Sequence, residues 1–146
     1  MRVELREAPF DPCAELGRYQ AEALEGRGDY GAVASFIGVM RDFNDGESVS
    51  AMTLEHYPGM TEAHLRRIST EAAQRWEILD TLIIHRVGRV RPADPIVLVA
   101  VWSAHRAAAF DACRYLIEEL KSRAPFWKQE QRAGATHWVE HNTAAS

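Results

Sequence analysis

Pro95-Ile96-Val97-Leu98-Val99-Ala100-Val101-Trp102 runs directly into Ser103-Ala104-His105-Arg106, and this junction decides the fold. From Ile96 to Val101 the run is unbroken and apolar, with no polar residue at alternate positions. A strand that is apolar on both sides is covered on both sides, so it belongs at the centre of a sheet. Ser103 has a hydroxyl of the kind that caps a helix, so a helix is predicted from Ala104 to about Arg123. Its predicted core face is Phe110, Cys113, Leu116, Ile117 and Leu120. Pro125 then forces a turn, because it has no N–H and pushes Ala124 out of helical geometry.

Working outward, Val3 to Glu7 reads as a strand, and Asp11-Pro12 opens a helix with Asp as N-cap and Pro at the first helical position. That helix reaches about Glu25 and stops at Gly26-Arg27-Gly28. Gly31 to Arg41 is a strand, with Val33, Ser35, Ile37 and Val39 on one face. Asp42 to Gly46 is a loop, and Val49 to Tyr57 returns as a strand broken by Pro58-Gly59. Thr61 to Trp76 is an amphipathic helix marked by Leu65, Ile68, Ala72 and Trp76. Thr81 to Val87 is a strand, Arg91 to Asp94 a turn, and Thr136 to Glu140 a last strand before a loose tail at 142–146. The order β-α-β-β-α-β-β-α-β is an α+β pattern with a mixed or antiparallel sheet built from hairpins. The 146 residues fit a single domain, 1–146, with no linker and no internal repeat.

Composition narrows the function. Hydrophobic content of 47% and charged content of 26% are those of a soluble globular chain, and the net charge of −4 argues against a nucleic-acid coat. No stretch has the apolar core of a signal peptide or the length of a membrane span. Cys13 and Cys113 form no CxxC pair, so a zinc ribbon, a redox motif and a disulfide scaffold are all disfavoured, and Cys113 is expected as a buried thiol. The expected setting is a reducing cytoplasm. GxGxxG and P-loop patterns are absent, as is any acidic cluster suited to a hard metal, so no cofactor and no metal is expected.

The chemistry-bearing residues are cations. His105 and Arg106 sit in the first turn of the long helix, where backbone N–H groups already carry partial positive charge. Two cations there suit a bound anion, or else simply point to solvent. Lys121 lies near the end of the same helix, which complements the dipole. Lys128 follows the proline break and the apolar pair Phe126-Trp127, which is expected to anchor the segment. A lysine held beside apolar groups is a candidate acid, base or nucleophile, and a solvated lysine beside a packed tryptophan is the plainer alternative. Arg41 ends a strand at a polar loop, as binding residues often do, or pairs with Asp42 or Asp45 at the surface. His137-Trp138-Val139-Glu140-His141 matches the H-x-x-E-H zinc-peptidase pattern but lacks the helix and the downstream third ligand that the chemistry needs. His85 reads as a strand histidine with its own hydrogen bonds, and His56 ends a strand.

Five blocks in order resemble signatures of the large, catalytic subunits of molybdopterin synthase. They are Ser35-Phe36-Ile37-Gly38-Val39-Met40-Arg41-Asp42, Leu54-Glu55-His56-Tyr57-Pro58-Gly59-Met60, Ile84-His85-Arg86-Val87-Gly88, Ser103-Ala104-His105-Arg106, and Leu120 to Lys128. The resemblance implies an α/β hammerhead-type fold. It implies a sulfurtransferase that converts a cyclic pyranopterin monophosphate to molybdopterin. The sulfur donor is a small ubiquitin-like subunit with a C-terminal Gly-Gly thiocarboxylate. A homodimer of large subunits within a heterotetramer is implied as well. By the same resemblance, Lys121 and Lys128 are the catalytic pair, and Arg41, His105 and Arg106 form the anion and substrate pocket, with Val39, Met40, Gln129 and Glu130 flanking it. Gln129 stands where a basic residue is often found, and Ala93-Asp94 replaces a commoner glycine-acid turn. A non-catalytic module binding a ubiquitin-like partner or an anionic ligand would keep the pocket cations without needing both lysines. A zinc hydrolase on His137 and His141 is the third alternative.

Overall fold

The structure is a computed structural model that describes residues 1–44, 47–132 and 135–138. Its first sheet is built around the junction quoted above. β7 (Pro95–Ser103) lies between β5 (Ile78–Arg86) and β2 (Ala32–Val39), antiparallel to both, and β1 (Arg2–Arg6) pairs parallel with β5. The sheet is therefore mixed, with order β1-β5-β7-β2. From Val97 to Trp102, β7 is almost completely inaccessible, as its unbroken apolar run requires.

Helices cover both faces. α1 (Pro12–Ala23) starts as expected, with the Asp11 carboxylate accepting from the N–H groups of Cys13 and Ala14. With Phe10, Tyr19 and Leu24, it covers Leu82, Ile84, Leu98, Ala100 and Trp102. On the opposite face, α2 (Met60–Arg75) and α3 (Arg106–Arg123) enclose Ile83, Val97, Val99 and Val101 with Leu65, Ile68, Leu116 and Leu120. Truncating any one of these leucines or isoleucines to alanine would cost about 2–5 kcal/mol.

A second sheet springs from the far end of β2. β4 (Glu47–His56) carries β3 (Phe43–Asn44) and β6 (Gly88–Val90) along one edge and β8 (Phe126–Arg132) along the other, and β9 (Ala135–Trp138) pairs with β8. Met40, Met52, Leu54 and Val90 form a small core that joins the two sheets, with Ile96 packed against it.

The sequence reading differs in five places. Three further strands appear, β3, β6 and β8. The break at Pro125 and the anchoring of Phe126 in the core are as expected, but the segment beyond is a strand, because its backbone pairs with β4 from His56↔Phe126 to Val49↔Arg132. Ser103 ends β7 instead of capping α3; the N-cap is His105, whose N–H donates to the Ser103 hydroxyl at 3.0 Å. Phe110 is 65% exposed: the buried stripe runs through the expected Cys113, Leu116, Ile117 and Leu120, but Ala109 and Ala112 fill its first turns in place of Phe110. Among the described residues, no helix is long and apolar enough to cross a membrane. The tail at 142–146 lies outside the described residues.

Candidate functional site

The antiparallel pairing of β2 with β7 sets the geography. Ala32 lies opposite Ser103 at one end of the sheet, and Val39 opposite Pro95 at the other. α3 leaves β7 at the Ser103 end and runs back over the sheet towards the Pro95 end. The expected site residues are thus sorted into two groups.

At the Pro95 end stand Arg41, Lys121 and Lys128. Lys121 projects half-buried from the last turn of α3, beside the buried Leu120. Burial lowers the proton affinity of its amine, and the positive charge of Arg41 lowers it further, against a small opposing effect of Glu118. Lys128 is partly buried on β8, opposite Leu54 of β4. The corner between the two lysines is held firmly. The Thr61 hydroxyl, fully buried, donates to the Pro125 carbonyl at 3.0 Å and accepts from the Tyr57 N–H at 3.2 Å. Phe126 packs against the main core and stacks on the ring of His85. The Trp127 side chain lies outside the described residues.

At the Ser103 end stand His105 and Arg106, both exposed. The backbone there is tight: the Gly31 N–H donates to the Ser103 carbonyl at 2.9 Å. His105 makes no side-chain cap bond, and the first turn of α3 has no acidic residue, so its N–H groups and Arg106 face outward with unneutralised positive potential. From Arg106 to Lys121 the helix climbs about 22 Å, at roughly 1.5 Å per residue. A single chain therefore does not gather Arg41, His105, Arg106 and both lysines around one anion, as the sequence reading had it. The 18-residue α3 holds the two groups apart.

The flanking candidates divide in the same way. Val39 is exposed beside Arg41. Met40 is buried in the small core between the sheets, where its side chain packs instead of facing a ligand. Gln129 and Glu130 lie on β8, opposite Thr53 and Met52, and their side chains are outside the described residues. His137 falls on the strand β9, whereas Glu140 and His141 lie outside the described residues. Among the described residues, no three His, Cys, Asp or Glu side chains are grouped to hold a metal ion. Cys113 is buried, with its thiol pushed up to about 11 by burial alone, so it is a packing residue and not a nucleophile. His85 also stands at this end; it lies in β5 and hydrogen-bonds the Arg86 carbonyl, as the sequence reading expected of a strand histidine, but that reading gave it no place at the site. Its signals in the sequence were its place inside an otherwise apolar strand and its membership of the block Ile84 to Gly88.

Comparison with known proteins gives one consistent result. A family model described as MoaE protein matches residues 6–123. The chain is 55% identical over 138 residues to the molybdopterin synthase catalytic subunit of Ralstonia nicotianae, covering 94% of this chain and 76% of that one. It is 51% identical to the subunit of the same name from Pseudomonas aeruginosa, covering 96% and 91%. The crystal structure of molybdopterin synthase from Staphylococcus aureus superposes with a TM-score of 0.84 at 31% identity, covering 97% of this chain and 99% of that one.

Proposed function

The chain belongs to the MoaE protein family, whose similar members are molybdopterin synthase catalytic subunits, and from that premise we propose how its residues carry the reaction. It is an enzyme of molybdenum cofactor biosynthesis, a sulfurtransferase acting as the catalytic subunit of a molybdopterin synthase. Its substrate is a cyclic pyranopterin monophosphate. The sulfur comes from the C-terminal thiocarboxylate of a small ubiquitin-like subunit, whose Gly-Gly tail enters the lysine end of the molecule. A reducing, cytoplasmic setting suits its two free thiols, Cys13 and Cys113.

The observation that carries the mechanism is the state of Lys121. Its amine is half-buried, depressed by burial and by Arg41, and mounted on a rigid helix end. Once the thiocarboxylate sulfur has bonded to the pterin, the carbon–sulfur bond to the partner's acyl group must break, leaving sulfur on the substrate and the acyl group on water or on an amine. Lys121, beside that carbon, serves as base towards the water or captures the acyl group itself. Lys128 moves protons and holds the pterin. Arg41 faces the negative charge that develops on oxygen and sulfur.

The phosphate end of the substrate needs the cations of the other group. On this reading, His105 and Arg106 of one copy, with Arg106 about 22 Å from its own Lys121, complete the lysine site of a second copy. Exposed apolar side chains support such an arrangement: Phe110 lies one helical turn beyond Arg106, and Val33, Ile37 and Val39 lie along the edge strand β2. The assembly is then a homodimer of this chain, with one sulfur-carrier subunit at each end.

The direct test mixes the purified chain with the thiocarboxylated small subunit and cyclic pyranopterin monophosphate and assays the dithiolene product. Lys121→Ala should cut turnover by about 100-fold or more while the subunits still associate. Wild-type complex without product would overturn the enzyme reading in favour of a binding module.

A further inference from the structure

His85 takes no part in the reaction as argued, yet it forms part of the wall of the lysine end. It is 5% exposed, and its ring lies flat on Phe126, with centroids 4.0 Å apart and planes 16° from parallel. Nδ1 stands 2.6 Å from the Arg86 carbonyl oxygen. A carbonyl only accepts, so Nδ1 carries the proton and donates it there, and the uncharged ring keeps a bare lone pair on Nε2. Burial and the surrounding charge hold the ring in that form. The charged groups that bear on it are Lys121 from α3, Lys128 from β8 and His56 from β4, and all of them oppose a second proton. Burial is the largest influence, and the pKa falls to about 3. Lys128 follows Phe126 by two residues on β8, so both side chains leave the strand on the same face, the one against which His85 stacks.

We infer that His85 is a positioning residue for the two lysines: the Arg86 carbonyl fixes its ring, the ring fixes Phe126, and Nε2 is an acceptor for a neighbouring lysine ammonium. The arrangement explains why a polar ring occupies an otherwise apolar strand position. A phenylalanine would stack equally well on Phe126 but would offer no acceptor to a cation held in an apolar wall. Nε2 receives a proton from the lysine only as a hydrogen bond, so it raises the stability of the ammonium and sets the pH at which the amine becomes free.

The inference rests on the sulfur-transfer reading, and the wild-type assay separates the two: if wild type makes no product, the reading fails, whereas the inference is judged only on variants of an active enzyme. His85→Phe keeps the stack and removes both ring nitrogens. The expected result, in the assembled enzyme, is a kcat lowered by about tenfold or more with KM for the pterin little changed. The acidic limb of the kcat–pH profile should move to lower pH, because the lysine loses an acceptor for its charged form. His85→Phe with the kcat and limb of wild type would overturn the inference, since a purely packing role would leave both in place. Should that variant fail to fold, the wild-type protein labelled with 15N-histidine gives the answer. A ring protonated on Nδ1, bare on Nε2 and unchanged between about pH 5 and 8 is expected. A proton on Nε2, or titration within that range, would overturn it.

Discussion

Lys121 occupies a place where an ammonium is poorly solvated, and under the proposed mechanism this is what makes its amine useful. Its folded-state proton affinity is lowered first by burial and then by Arg41, with Glu118 pulling the other way. The pH dependence follows from the sign of each effect. A lowered lysine pKa means that the free amine appears at a lower pH than the ordinary lysine value of 10.5. Activity that needs the free amine therefore climbs through an acidic limb below that value. Arg41→Gln removes the like charge, so the Lys121 amine holds its proton more tightly and the limb moves to higher pH. Arg41→Lys keeps the charge and should leave the limb near its wild-type place. The kcat–pH profiles of the two variants check this, and an unmoved limb in Arg41→Gln would mean that Arg41 acts on the substrate alone. Arg41 and Lys121 are 80 positions apart, so only the family resemblance brought them to one pocket, and the effect of one charge on the other was not visible in the sequence. Residue types were legible, whereas the pairing of charges across the fold was not.

At the scale of elements, the corner from β7 into α3 is tightly built. Gly31 approaches it so closely that a Cβ there would lie 2.5 Å from the Ala104 carbonyl oxygen, a backbone atom that cannot swing aside. Gly31→Ala should therefore cost about 1–3 kcal/mol in stability. It should also displace the start of α3, raising KM for the phosphate-bearing substrate more than it lowers kcat. Thermal unfolding and steady-state kinetics would show both, and a variant with wild-type Tm and KM would mean that the corner yields freely. The same corner shows why sequence patterns found elements more readily than their ends. β7 was legible because an unbroken apolar run admits few other readings. Most of the α3 stripe was legible too; only Phe110 was misassigned to it, because Ala109 and Ala112 give weak signals and an aromatic a strong one. Ser103 has the right side chain for a cap, but its strand pairing with Ala32 and Ile78 holds it in β7, and the helix starts beyond it. β8, written Phe-Trp-Lys-Gln-Glu-Gln-Arg, has no alternation to betray a strand; it is a strand because β4 offers a ladder of backbone partners, which is tertiary context. β6 is three residues long and owes its existence to the same neighbour.

For the whole molecule, the decisive quantity is the length of α3. The sequence reading gathered five cations into one pocket because they share a chemistry, but a helix that carries Arg106 at its first position and Lys121 in its last turn holds them about 22 Å apart. Either the substrate meets only one group, or a second copy supplies the other. Complementation distinguishes these outcomes. Arg106→Ala and Lys121→Ala chains, each nearly inactive alone, are unfolded together, refolded and assayed with the small subunit. If each site takes its lysines from one copy and its helix start from the other, a mixed dimer contains one site damaged twice and one site wholly intact. Random pairing makes half of the dimers mixed, so about a quarter of wild-type activity should return, in keeping with the arithmetic of a two-fold assembly. If each chain builds its site alone, every site in the mixture carries one lesion and no activity returns. Size-exclusion chromatography of the mixture confirms that dimers have reformed, so that a silent mixture counts against the shared site and not against refolding. The result also bears on evolution of the surface: a shared site ties the exposed Phe110 and the apolar edge of β2 to catalysis, because any change that loosens the dimer would separate the cations from the lysines.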